Sequence, residues 1–153
     1  MIHQLNKILD GKLKGTLDSL SLLLLRLFFG GSMIVAHGWP KFQKFDELSS
    51  TFPDPLGIGS SFVNATLIVF AEVICAGLVA VGLLTRLSVI PLVIAMSTAF
   101  FIQHGADPYP KKELALVYLI GYVVLFLRGP GTFSFDAMIF RSSKGSSGSA
   151  KKK

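Results

Sequence analysis

The chain has 153 residues, 51% of them hydrophobic and 16% charged, with a mean hydropathy of +0.60 and a net charge of +6. That composition excludes disorder over most of the length and argues against a water-soluble domain, and the basic residues lie outside the apolar runs, which favours membrane phosphates over nucleic acid as their partner. The lone cysteine, Cys75, excludes an internal disulfide, a paired-cysteine redox centre and a zinc cluster.

Residues 1–16 read as a basic interfacial N-terminus. Ile2, Leu5, Leu9 and Leu13 fall on one side of a short helix and Lys7 and Lys12 on the other, although Gly11 interrupts it; a frayed basic terminus fits equally well. Residues 17–141 form the transmembrane domain, with apolar runs at about 17–37, 62–84, 87–104 and 112–128. A hydrocarbon core roughly 30 Å thick needs about 18 or more such residues at about 1.5 Å each, and the last run is short. The first run is read as a retained span, since no small-residue cleavage site follows it.

Helix punctuation agrees with these limits. Ser60 and Ser61 suit an N-cap, Pro91 falls near the start of the third run, Pro110 suits a first turn, and Arg128-Gly129-Pro130-Gly131 ends the last run. The turn Leu84-Thr85-Arg86-Leu87 makes the second and third runs antiparallel neighbours. Residues 142–153 read as a flexible basic tail. Ten Lys and Arg fall on the side of the termini and this turn, against four (Lys41, Lys44, Lys111 and Lys112) on the other. The expected fold is therefore an all-α membrane protein, a four-transmembrane-helix bundle with both termini cytoplasmic.

The residues that carry information about function are those that hydrocarbon disfavours. Arg26 lies eleven positions before His37 and Glu72 ten after Phe62, so both are expected roughly 15 to 17 Å below the outer boundary. An unpaired Arg there costs at least about 2.5 kcal/mol, and a bidentate pair between Arg26 and Glu72 would satisfy both groups. That pair reads either as a staple between helices or as the floor of a pocket. On the pocket reading, Tyr122 joins Arg26 and Glu72 at the bottom, with Tyr118 one turn above it; His37, Lys41, His104 and Glu113 stand at the mouth. Glu72, Arg26, His37 and Tyr122 are the catalytic candidates, and Arg26, Glu72, Lys41, His104 and Tyr118 the ligand-binding ones. Interfacial histidines and belt aromatics account for the same residues one at a time.

Five segments resemble the DoxX family of small bacterial membrane proteins: Arg26-Leu27-Phe28-Phe29-Gly30 leading to His37-Gly38-Trp39-Pro40-Lys41-Phe42; Ala71-Glu72 with Gly77; Gly82-Leu83-Leu84-Thr85-Arg86; and Gly129-Pro130-Gly131-Thr132-Phe133-Ser134-Phe135-Asp136. The resemblance implies a multi-pass protein of the bacterial inner membrane, in a family linked to quinone or thiol redox work beside partner enzymes. On that basis the expected role is a redox-linked accessory or oxidoreductase subunit with a quinone-type site between helices. A purely structural subunit stapled by Arg26 and Glu72, and a non-enzymatic small-solute binder, stand as alternatives. Haem, flavin and metal motifs are absent from the sequence. The expected partners are membrane lipid and a redox enzyme, with self-association left open.

Overall fold

The computed structural model describes the backbone of residues 2–55, 57 and 59–139, and side chains from residue 13 onward together with residue 11. The expected tail at 142–153 lies outside the described residues. All regular structure among the described residues is helical.

Helix α1 (Ile2–Met33) runs through Gly11 without a break. It continues as a π-helical stretch (Ile34–Gly38) and then α2 (Trp39–Gln43), so an apolar rod extends over Leu13–Gln43 rather than ending near His37. A short helix, α3 (Phe45–Thr51), carries Asp46 and Glu47 at its N-terminal end, where the helix dipole favours acids. The following loop is tied by Asp54, whose carboxylate accepts from Gly59 N at 2.6 Å and Asn64 Nδ2 at 2.8 Å.

The second rod is α4 (Ser61–Val69), a π-helical stretch (Phe70–Cys75) and α5 (Ala76–Val81). Ser60 caps it as expected, accepting from Val63 N at 3.3 Å. The third rod is α6 (Thr85–Thr98) continued by a π-helical stretch (Ala99–Gln103). Pro91 lies inside α6, deeper than the expected first turn, so it removes one backbone hydrogen bond from the interior of the span. Helix α7 (Tyr109–Arg128) has Pro110 in its first turn and stops at Gly129, φ 75°.

Three of these rods, Leu13–Gln43, Ser61–Val81 and Thr85–Gln103, are long and apolar enough to cross a membrane. Helix α7 has 20 residues but opens with Lys111, Lys112 and Glu113. The rods pack in a ring: α1 on α5, the second rod on α6, α6 on α7, and α7 back on α1. The core is thin, centred on Met33, Val79, Val89, Leu92, Tyr122 and Leu125, while Phe28, Val35, Leu87, Phe101 and Leu127 point away from it. A surface this apolar is stable in lipid and not in water.

The register of the first two rods follows from close backbone approach, as packing between spans requires. A Cβ on Gly38 would lie 2.6 Å from the carbonyl oxygen of Glu72, and one on Gly30 would lie 2.7 Å from that of Ala76. At the end of the bundle formed by the 82–86 turn, Gly82 (φ 76°) closes the second rod, and the guanidinium of Arg26 packs against it. Arg26 donates to the carbonyl of Phe133. Asp136 completes this end: its carboxylate accepts from Leu84 N at 2.7 Å and Thr85 N at 3.0 Å, capping α6, and its own N–H donates to Gly82 O at 2.9 Å.

Candidate functional site

Glu72 sits in the π-helical stretch of the second rod and is 1% exposed. Its partner is Lys41, not Arg26. Lys41 Nζ lies 2.5 Å from Oε1 and 2.6 Å from Oε2, a forked, charge-assisted contact between the first and second rods. The expected Arg26–Glu72 pair fails for a reason of register. Glu72 faces Gly38, whereas Arg26 faces Gly82, ten residues further along the second rod, or about 15 Å. Reckoning depth from His37 placed the first span's end too early, because that rod runs on to Gln43.

Two environments meet at Glu72. On one side stand His37, Tyr118 and Tyr122. The His37 ring meets Tyr118 edge-on at 5.5 Å, Tyr118 stacks on Tyr122 at 6.1 Å, and Tyr122 Oη donates to Phe29 O at 3.1 Å. The charges of Glu72 and Lys41 act on His37, and that of Glu72 on Tyr122. Wide π-helical turns carry His37 and Glu72, and such turns recur where a helix must aim a side chain away from its regular face.

On the other side lies a cavity of about 540 Å³ between the second and third rods, bounded by Lys41 and Glu72. Its walls are apolar, with Leu67, Phe70, Ile94 and Met96 among them, and residues Phe52, Pro53 and Pro55 of the loop close over it. Asn64, Thr98, Gln103 and His104 supply the other polar groups. An apolar slot with a few convergent polar atoms is the usual form of a small-molecule site.

The sequence matches the profile of the DoxX family over residues 21–105. The chain belongs to the DoxX family. This DoxX chain is similar to an uncharacterized protein of Haemophilus influenzae, 29% identical over 136 residues that cover 85% of this chain and 90% of the relative. It is also similar to an uncharacterized membrane protein of Mycobacterium tuberculosis, 29% identical over 130 residues, covering 76% and 79%. No solved structure matches it. The DoxX match covers the first rod from residue 21 and the second and third rods whole, and so contains Lys41, Glu72, His104 and the cavity they line.

Of the expected site residues, then, Glu72, Lys41 and His104 share the cavity, while His37, Tyr118 and Tyr122 back onto Glu72 from the far side. Arg26 is wholly buried at the opposite end, engaged by Phe133, with the charge of Asp136 acting on it. Glu113 is exposed on α7 and does not line the cavity. Sequence reasoning missed Asn64, Thr98 and the 52–55 loop as cavity residues. It had one usable signal for the true ion pair: Lys41 follows His37 by four residues, one helical turn, and so falls on the same face.

Proposed function

We propose that this DoxX protein crosses a bacterial inner membrane four times with both termini in the cytoplasm, and that its cavity takes a quinone headgroup, making it a redox-linked accessory or oxidoreductase subunit. Reduction of a quinone to a quinol takes two electrons and two protons. A partner redox enzyme supplies the two electrons; the ammonium of Lys41 donates a hydrogen bond to a ring carbonyl, and Glu72 passes the two protons in turn, each drawn from water.

The single observation that carries this reading is the Lys41–Glu72 pair lining a largely apolar cavity. The wall residues Leu67, Phe70 and Ile94 are about half exposed, which supports a cavity open enough for a ligand to keep an apolar tail in lipid. For the fourth crossing, support comes from Leu114, Val117, Ile120 and Phe126 of α7, which are apolar and turned outward while Tyr118, Tyr122 and Leu125 face the core.

Titration of a short-tailed benzoquinone and naphthoquinone into the protein in lipid nanodiscs tests the reading. Saturable binding is expected, weakened about tenfold or more by Glu72→Gln and by Lys41→Met, since each removes a charge-assisted contact. Absence of saturable binding, or unchanged affinity in both variants, would leave the pair as a staple between the first two rods. That structural reading predicts that exchanging the two charges, Lys41→Glu with Glu72→Lys, restores both folding and cellular function; the quinone reading predicts that it restores folding alone.

A further inference from the structure

We propose that Asp107 is a positioning residue for His104, and that it makes His104 a hydrogen-bond acceptor at the mouth of the cavity, so that the site favours a ring bearing a hydroxyl, the quinol, over the oxidised ring. This rests on the quinone reading above.

His104 follows directly on the π-helical end of the third rod, its N–H donating to Ala99 O at 2.9 Å, and it lines the cavity. Its Nδ1 lies 2.8 Å from Asp107 Oδ2, and Asp107 N donates back to His104 O at 3.1 Å, closing the turn on itself. Lys111 Nζ lies 3.1 Å from each carboxylate oxygen of Asp107. The hydrogen bond from His104, and after it the contact with Lys111, hold the Asp107 carboxyl below its ordinary range, so it is ionised at neutral pH and the tie is lost only as pH falls through that lowered value.

An ionised carboxylate accepts and cannot donate, so in the neutral form of His104 the single ring proton sits on Nδ1, facing Asp107. Nε2 is then the unprotonated nitrogen, the ring atom that Asp107 leaves without a partner in a side chain lining the cavity. Of the other charged groups, Lys112 donates to Gly105 O at 3.0 Å, and Lys41, which also lines the cavity, is paired with Glu72. The cavity lining therefore offers a donor, Lys41, and an acceptor, His104. A quinol matches both, accepting from Lys41 with one oxygen and donating to Nε2 with the hydroxyl of the other. The oxidised ring has no hydrogen to give His104.

The test uses protein labelled with ¹⁵N-histidine in lipid nanodiscs, as wild type and as Asp107→Ala. The nitrogen shifts of His104 are expected to show the proton on Nδ1 in wild type and largely on Nε2 in the variant. Wild type is expected to bind a short-tailed quinol about three- to tenfold more tightly than the matching quinone, the worth of one hydrogen bond, and the variant to lose that preference. An unchanged tautomer in Asp107→Ala overturns the role of Asp107, and equal affinity of wild type for the two forms overturns that of His104. Failure of both forms to bind defeats the quinone reading instead, while the nitrogen shifts still decide what Asp107 does.

Discussion

At Gly38 a single hydrogen atom stands where a side chain would strike the carbonyl of Glu72, and the pairing of Lys41 with Glu72 depends on that approach. Gly38→Val is expected to force the first two rods apart and lower stability by about 1–3 kcal/mol, read as a fall in thermal midpoint in detergent. Gly31→Ala, where a Cβ meets open space, is expected to leave the midpoint unchanged. Glu72 stood out because it is an ionisable side chain inside an apolar run, and Lys41 and His104, read at the outer ends of their runs, line the same cavity. Who pairs with whom was not legible. Partner choice depends on the relative slide of two rods, and a slide of ten residues separates Arg26 from Glu72 while leaving the composition of each run the same.

Among the elements, the termini written in local chemistry were read closely. Ser60, Pro110 and Gly129 start or stop their helices as expected, since a cap or a break needs only nearby residues. The continuation of the first rod to Gln43 was missed because the first run was bounded at His37, whereas a π-helical stretch carries the rod past Gly38 and Pro40. The function of the Gly129–Asp136 segment was equally hidden, since its partners lie some 50 residues away in sequence at Leu84 and Thr85. Asp136→Ala removes the cap of α6, whose first residues otherwise have no side-chain acceptor. A loss of about 1 kcal/mol or somewhat more is expected, measured by unfolding in denaturant, with the apolar rods intact by circular dichroism.

For the whole molecule, the proposed topology rests on Lys and Arg counts and on the outward apolar face of α7, and the buried Cys75 makes it easy to check. In intact cells or right-side-out vesicles, a cysteine placed at Ser49 is expected to react with an impermeant maleimide and one placed at Arg86 only after permeabilisation; the opposite pattern would invert the bundle. The account as a whole rests on a ligand sitting between the second and third rods against Lys41 and Glu72. A photoreactive quinone, crosslinked in native membranes and mapped by mass spectrometry, tests that most directly. Adducts are predicted on residues 64–72 and 94–104, suppressed by unlabelled quinone and by Glu72→Gln. Adducts confined to the lipid-facing surface of α7 or α1, or labelling that unlabelled quinone does not suppress, would contradict it.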